Sequence, residues 1–172
     1  MRRSTICETE RLTIRRLALK DAPFILALLN DPDFLRNIGD RNARTIADAR
    51  RYLARGPMAS YRLHGHGLYL VSITATGDSI GICGLLKRDT LDDVDIGFAF
   101  LPQFRRRGYA IESARAMLAY ARTGLGLSRV VAIVQPGNER SIQLLERLGM
   151  RIERTVRMPP DDRELLLFGA GW

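Results

Sequence analysis

The sequence predicts an α/β (α+β) protein with one mixed sheet, whose elements follow the order β-α-α-β-β-β-α-β-α-β-β. Three observations predict this fold class. Alternating apolar segments between Leu68 and Leu101 are separated by turn residues and indicate an antiparallel meander. A longer segment after Gly108 has helical periodicity, and Val130–Val134 is apolar on both faces, as in a strand covered on both sides. The 172 residues are enough for one domain, 1–172, with a sizeable core.

The first half of the chain is predicted to contain a strand, two helices and then the meander. Arg11–Leu17 alternates apolar and basic residues and predicts the first strand. Asp21 is the predicted N-cap of a helix that ends near Leu29. A second helix is predicted to begin at Thr45 and to end near Gly56. The three meander strands are predicted at Leu68–Thr74, Ile80–Lys87 and Val94–Leu101.

The second half is predicted to contain two helices and three strands. The long helix runs from Tyr109 to about Thr123, with an apolar stripe at helical spacing. The strand Val130–Val134 follows, and then a short helix over Glu139–Leu148. Asn138 is a suitable N-cap for this helix and Gly149 a suitable C′ residue. The last two strands are predicted at about Arg151–Arg157 and Glu164–Phe168.

Composition narrows the classes of function. The net charge is +8, and the basic residues are spread along the chain without a basic tail or an interleaved aromatic stripe, which argues against a dedicated nucleic-acid module. No apolar run approaches the length of a membrane span. The first eight residues are charged but lack the apolar segment of a signal peptide.

Cys7 and Cys83 form no CxxC motif, which favours reduced thiols and a cytoplasmic protein. Cys83 lies in an apolar strand pattern and is interpreted as a packing residue.

A glycine turn between a strand and a helix is the most informative motif of the chain. The segment Arg105-Arg106-Arg107-Gly108-Tyr109-Ala110 follows a predicted strand and opens the long helix. The free N–H groups and the dipole of a helix N-terminus bind anions, and a glycine there lets the backbone approach a phosphate. Arg62–Gly67 fits the same loose pattern but opens a strand, so it offers no helix N-terminus. The context therefore favours a pyrophosphate site at Gly108 alone.

Three segments resemble the GCN5-related N-acetyltransferases (GNAT), and within them the branch of ribosomal-protein-alanine N-acetyltransferases. The resemblance covers nearly the whole chain, and the second and third segments have the separation and order of that family's two cofactor motifs. The resemblance implies the GNAT fold, acetyl-CoA as cosubstrate and no metal. The segments are Glu8-Thr9-Glu10-Arg11-Leu12-Thr13-Ile14-Arg15, Asp95-Ile96-Gly97-Phe98 with Arg105–Glu112, and Asn138–Met150.

The resemblance also implies how the cosubstrate is bound. Backbone N–H groups between Arg106 and Ala110 would hold the pyrophosphate of coenzyme A, and the arginines of the turn would add contacts to phosphates. Backbone amides of the preceding strand would polarise the thioester carbonyl and stabilise the oxyanion. Asn138 would cap the short helix and bind the cofactor arm. The residues expected to bind acetyl-CoA are Phe98, Ala99, Phe100, Arg105, Arg106, Arg107, Gly108, Tyr109, Ala110 and Asn138.

The implied reaction is direct attack of a primary amine on the acetyl thioester through a tetrahedral intermediate. It needs a base for the amine and an acid for the departing thiolate. Many relatives carry a tyrosine as that acid, but the matching position here is Leu145. Ser141 is the candidate acid, with a packed polar residue as the alternative, and Asp95 is the candidate base, with a carboxylate at a hairpin edge as the alternative. His64 and His66 lack the further ligands of a metal site.

The acceptor amine is not identified by the sequence. A protein N-terminal α-amine or a small amine is expected, with the acceptor pocket built between about Phe34 and His66 and by the final turn. Basic charge favours an acidic acceptor over a polycation. Two other functions stay open: a non-catalytic acyl-CoA-binding or regulatory domain, favoured by Leu145, and a ribosome- or RNA-associated binding protein. By analogy with the family, a homodimer is compatible with the sequence.

Overall fold

A computed structural model describes residues 4–172. It contains an eight-stranded mixed sheet with the strand order β1-β2-β3-β4-β5-β6-β8-β7. Residues 1–3 belong to the predicted domain and to the segment in which no signal peptide is predicted, and they lie outside the described residues. The elements are β1 Thr5–Glu8, β2 Leu12–Arg16, α1 Ala22–Leu29, α2 Pro32–Asn37, α3 Ile46–Arg55, α4 Pro57–His64, β3 Leu68–Ile73, β4 Ser79–Leu86, β5 Asp95–Phe100, α5 Tyr109–Thr123, β6 Arg129–Val134, α6 Glu139–Arg147, β7 Arg151–Met158 and β8 Arg163–Gly171.

The predicted fold class is confirmed, but three short elements were not predicted. Strand β1 has only four residues, all at least partly exposed, so it shows no buried alternation. Helix α2 has six residues, too few for a helical period to be recognised. It is recognisable only by its ends, because Pro32 follows Asp31 and the Asp31 carboxylate accepts a hydrogen bond from the N–H of Phe34 at 3.1 Å. Helix α4 begins at Pro57, where the break at Gly56 hid its continuation from α3.

Helix ends follow the sequence closely in most places. Thr45 caps α3 in a reciprocal capping box with Asp48. Asn138 caps α6, and Gly149 has a φ of +83° at the end of that helix. The side chain of Asp21 is an exception, since it makes no capping bond to α1. Its carboxylate accepts hydrogen bonds from the backbone N–H of Ala18 and from the Arg15 guanidinium instead.

The sheet separates two helical layers. Strands β3 to β5 form the predicted antiparallel meander, and β2 pairs antiparallel with β3. Helix α5 packs on one face, where its residues Ala114, Met117 and Ala121 join the main core. Helices α1 and α3 pack on the opposite face against Leu70 and Ile82. Within the described residues, no helix is both long enough and apolar enough to cross a bilayer.

Candidate active site

The site begins where two parallel strands diverge. Strands β5 and β6 are paired only at Asp95 and Val131, beside a hydrogen bond from the N–H of Val131 to the carbonyl of Val94 at 2.9 Å. Backbone groups alternate sides along a strand, so the amides of Phe98 and Phe100 point to the same side as that carbonyl. They therefore face the gap that β6 leaves open. This gap is the middle of a cavity of about 1180 Å³.

The turn after β5 presents a row of backbone donors to this cavity. Arg106 has a φ of +61° and Gly108 a φ of +80°, a conformation that curls successive N–H groups toward one point. Among the described residues, the N–H groups of 106–111 have no internal acceptor. Helix α5 starts at Tyr109, so its dipole adds positive potential at the same place. The arrangement is that of an anion-binding turn.

A cluster from the opposite end of the chain holds this turn in place. The Glu112 carboxylate on α5 accepts hydrogen bonds from the Thr9 hydroxyl at 2.6 Å and from the Arg11 Nε at 2.7 Å. Arg11 also donates through Nη1 to the carbonyl of Arg107 at 3.0 Å, and its guanidinium lies 4.7 Å from the centre of the Tyr109 ring. The β1–β2 hairpin thereby fixes a carbonyl inside the turn.

The contacts of the Arg105 side chain differ from those predicted from the sequence. The sequence predicts a contact with a phosphate, but the guanidinium pairs with Asp31 at 2.6 Å and with Asp33 at 2.7 Å. Its Nε donates to the carbonyl of Phe100 at 3.0 Å. Arg105 therefore ties α2 to the end of β5, because its three donor nitrogens all have protein acceptors. Arg106 lines the cavity and forms no ion pair with another described residue, so it is the better placed arginine for a phosphate.

Helix α6 supplies the opposite wall. The Asn138 side chain accepts from the N–H of Ser141 at 3.4 Å, which leaves its amide nitrogen free. Ser141 lines the cavity, and its hydroxyl forms no hydrogen bond with another described residue. Leu145 lies one turn further on and is buried in the main core. The only hydroxyl that α6 offers to the cavity is therefore that of Ser141.

Asp95 lies at the inner end of the cavity. It is 1% exposed, and its Oδ1 accepts from the Arg88 Nε at 3.0 Å. Burial raises the pKa of Asp95 above its ordinary value, although the charge of Arg88 opposes that rise. A carboxylate with a raised pKa is a better proton acceptor than an exposed one.

The cavity brings together every predicted site residue except Arg107. Asp95, Ser141, the β5 residues 98–100, the turn residues and Asn138 all line it. Arg107 contributes only the carbonyl that Arg11 binds. Of the segments predicted to form the acceptor pocket, Phe34, residues 36–41, Tyr52 and the final turn line the cavity, whereas α4 does not.

Other polar residues that line the cavity were not singled out from the sequence. Arg41 and Tyr52 fall within the segment predicted to form the acceptor pocket, but the sequence does not reveal their packing, and Arg88 lies in a loop. The Gln135 Oε1 is buried without a hydrogen-bond partner at the end of β6. The sequence gives one indication that Gln135 has a role: it is a polar residue between an apolar strand and the N-cap of a helix. Asp95 and Arg88 become recognisable as a pair only when β4 and β5 are paired.

The histidine and cysteine side chains do not line the cavity. His66 is buried, and its Nδ1 lies 2.8 Å from the carbonyl of Leu85. Burial raises the pKa of Cys83 to about 12, which makes its thiol unreactive. Across residues 4–172, no group of three or more histidine, cysteine or carboxylate side chains is arranged to hold a metal ion.

Comparison with known proteins decides the family. The family model for the acetyltransferase (GNAT) domain matches residues 11–151. The chain belongs to the GNAT acetyltransferases. It is accordingly an acetyl-CoA-dependent N-acetyltransferase.

Individual GNAT relatives are moderately similar. The uncharacterized N-acetyltransferase p20 of Bacillus licheniformis is 28% identical over 151 residues, covering 87% of this chain and 84% of that protein. A crystal structure of an acetyltransferase from Agrobacterium tumefaciens is 26% identical, with a TM-score of 0.81, and covers 96% of this chain and 94% of that one. The microcin C7 self-immunity acetyltransferase MccE, solved with acetyl-CoA and AMP, is 16% identical with a TM-score of 0.82 over 98% of this chain and 97% of that one, and shows a shared fold.

Proposed function

We propose that this GNAT protein transfers the acetyl group of acetyl-CoA to the α-amine of its acceptor. The observation that carries the proposal is one continuous cavity that contains the anion-binding turn, the open edge of β5, a buried carboxylate and a free hydroxyl. These are the four parts that acetyl transfer to an amine needs: a phosphate site, an oxyanion site, a base and an acid.

The cavity offers groups suited to the phosphates, the extended arm and the thioester of acetyl-CoA. The N–H groups of 106–111 suit the pyrophosphate, and the exposed arginines Arg106 and Arg147, which form no ion pairs with described residues, suit further phosphates. Strand β5 rises about 17 Å from Asp95 to Phe100. Its free edge offers amide hydrogen bonds to the extended arm and to the thioester oxygen. Asn138 offers its amide nitrogen from the opposite wall.

Asp95 and Ser141 carry out the two proton transfers. Bound acetyl-CoA supplies an activated acetyl thioester. Asp95 accepts the proton that the attacking amine releases, and the Ser141 hydroxyl gives a proton to the departing sulfur. A nitrogen–carbon bond forms and the carbon–sulfur bond breaks. Ser141 takes a proton from water as it gives its own to the sulfur, and Asp95 releases the amine proton to water, so both side chains return to their starting states. The α-amine of a peptide has a pKa of about 7.7–8.0 and is partly neutral at pH 7, whereas a lysine amine at about 10.4 is nearly all charged. A carboxylate of modest basicity is therefore sufficient for a peptide α-amine, and the more basic amine of a free amino acid depends more strongly on Asp95.

Variants of the two proton-transfer residues test the proposal. Thiol release from acetyl-CoA is measured with a panel of amino acids, their amides and short peptides. Asp95→Asn and Ser141→Ala should each lower kcat by roughly 10²- to 10⁴-fold and leave acetyl-CoA binding unchanged. Asp89→Asn, in the exposed loop before β5, should keep the wild-type rate. Wild-type rates in both site variants would refute these roles.

The acceptor panel also separates the remaining functions. Peptides are included because the ribosomal L7/L12 α-N-protein acetyltransferase RimL shares the fold, with a TM-score of 0.81 at 16% identity. Binding of acetyl-CoA without turnover of any amine would favour a binding or regulatory domain. Failure to bind acetyl-CoA, together with RNA binding that weakens steeply with salt, would favour an RNA-associated protein. Cytoplasmic location and a homodimer stay predictions.

A further inference from the structure

The inner end of the cavity carries two opposite charges side by side. The Asp95 carboxylate and the Arg88 guanidinium are joined by one hydrogen bond of 3.0 Å from Nε. Both terminal nitrogens of Arg88 lack a hydrogen bond to another described residue, and its side chain is 34% exposed. One face of this guanidinium is thus available to a ligand in the cavity.

Two further groups border the same end. Tyr52 on α3 lines the cavity, and its hydroxyl has no hydrogen bond with another described residue. Burial raises the pKa of Tyr52, and the charges of Arg41 and Arg88 oppose that rise, so both guanidinium groups lie within electrostatic range of the hydroxyl. Asp40 does not neutralise Arg41, because its carboxylate is engaged by Arg44 at 2.5 Å.

This arrangement selects for an anion beside the amine. Arg88, Arg41 and Tyr52 place free donors and positive charge around a single carboxylate, Asp95, which is already partly compensated. A polycation would meet Arg41, which forms no ion pair with another described residue, and an Asp95 charge that Arg88 already balances, whereas a second carboxylate would find unused donors. A guanidinium with two free nitrogens binds a carboxylate with two parallel hydrogen bonds.

We infer that the acceptor is an α-amino acid with a free carboxylate. An α-amino acid carries an ammonium and a carboxylate on one carbon, and the adjacent Asp95 and Arg88 present the complementary pair. The amine lies against Asp95, which takes its proton, and the carboxylate lies against Arg88, with Arg41 and Tyr52 beside it. This inference rests on the proposed acetyl transfer and adds the substrate class. It favours a free amino acid over a protein N-terminus, whose α-amine is followed by an amide.

Matched acceptors test the inference. Each amino acid is compared with its amide and with the amine that remains when the carboxylate is absent, for example leucine, leucinamide and 3-methylbutylamine, with rates expressed per neutral amine. The preferred amino acid should have a KM roughly 10- to 100-fold lower than its amide, as expected for hydrogen bonds to a charged group. An amide or simple amine that is acetylated as well as the amino acid would overturn the inference and leave the proposed acetyl transfer intact.

Variants of Arg88 and Arg41 test where the carboxylate of the acceptor binds. Arg88→Met should raise the KM for the amino acid by the same factor and leave the KM for the amide unchanged. Any effect of Arg88 on the basicity of Asp95 would change kcat for both acceptors alike, so the KM difference isolates carboxylate binding. If Arg88→Met does not fold, Arg41→Gln should give a smaller change of the same kind, since Arg41 is exposed. Arg50→Gln, exposed on α3, is the control and should change neither constant.

Two other results bear on the inference. Equal KM changes for amino acid and amide in Arg88→Met and in Arg41→Gln would contradict carboxylate recognition. Lack of turnover with every amine, while acetyl-CoA still raises the melting temperature, would overturn the proposed acetyl transfer and the substrate class with it.

Discussion

Glu112 shows how one residue supports the geometry of the anion-binding turn. Its carboxylate is 18% exposed and accepts from Thr9, from the backbone N–H of Arg11 and from the Arg11 guanidinium. Arg11 in turn holds the carbonyl of Arg107. The side chain therefore acts at a distance on the anion site, since it contacts only the groups that support the turn.

Glu112→Gln should lower the free energy of unfolding by about 1–2 kcal/mol at pH 7, because it replaces charge-assisted hydrogen bonds with neutral ones. Partial burial alone would raise the pKa of Glu112, but the hydrogen bonds from Thr9 and Arg11 lower it below its ordinary value of 4.5. A lowered pKa means that the ionised cluster stabilises the fold above about pH 4.5 and that this stabilisation is lost as pH falls through the lowered pKa.

Urea unfolding of the wild type and Glu112→Gln at a series of pH values measures this effect. The difference between the two proteins should be full at pH 7 and should shrink toward zero in acid. Glu146→Gln is the control, because Glu146 is exposed and forms no ion pair with another described residue. A difference that is independent of pH, or equal to that of the control, would contradict an ionic role for Glu112.

The roles of Asp95, Ser141 and Leu145 differ in how far the sequence reveals them. Their positions relative to the two segments that resemble cofactor motifs predict that they lie near one site, and all three line the cavity. The burial of Asp95 and its bond to Arg88 depend on the pairing of β4 with β5, which sequence patterns specify only to within a few residues.

At the scale of elements, Arg105 connects α2 to the sheet. Asp31 is 6% exposed, caps α2 and pairs with Arg105, which also binds the carbonyl of Phe100. Residues of α2 line the cavity, on the side proposed to bind the acceptor. The short helix has little stability of its own, so its position depends on this contact.

Arg105→Ala should lower the free energy of unfolding by roughly 3 kcal/mol, because it leaves the buried Asp31 carboxylate without its partner. It should also raise the KM for the acceptor, since α2 loses its attachment beside the cavity. The matched control is Arg36→Ala. Arg36 pairs with Asp33 but is 69% exposed, so its loss should change stability by less than about 0.5 kcal/mol.

Thermal or urea unfolding of the two arginine variants, with steady-state kinetics of the folded fraction, measures both effects. Equal stability of Arg105→Ala and Arg36→Ala would show that the Asp31 contact does not hold α2. Loss of stability without any change in the KM for the acceptor would show that α2 is not part of the acceptor wall.

Elements with a strong local signal could be predicted from the sequence, and weakly patterned ones could not. Helix α5 begins and ends at the predicted residues because Gly108 and Gly124 bound a long periodic segment. Strand β6 has the predicted burial on both faces. Helix α2 and strand β1 are too short for any period, and their stability comes from contacts with distant residues.

At the scale of the whole molecule, the site is assembled from long-range contacts. Glu112 meets Thr9 across 103 residues of sequence, and Arg105 meets Asp31 across 74. Motifs predict an anion-binding turn, because the turn and its helix are contiguous in sequence. They do not predict which arginines are already paired with carboxylates, so only the structure shows that Arg105 is bound by Asp31 and Asp33. The divergence of β5 from β6 likewise appears only in the assembled sheet.

The central claim is that acetyl-CoA binds at the turn formed by Gly108, and thermal unfolding with and without acetyl-CoA tests it most directly. At about 100 times its dissociation constant, acetyl-CoA should stabilise the wild type by about 2.7 kcal/mol, a shift of several degrees. Gly108→Glu should lose this shift, because a side chain strains the turn at a φ of +80°, crowds Arg11 Nη2 at 3.2 Å and adds negative charge to an anion site. Gly77→Glu is the control. Gly77 lies in the turn between β3 and β4, has a similar φ of +77° and has no atoms within 4 Å of an added Cβ, so this variant should keep the shift. No shift in the folded wild type, or an equal shift in Gly108→Glu, would contradict the claim.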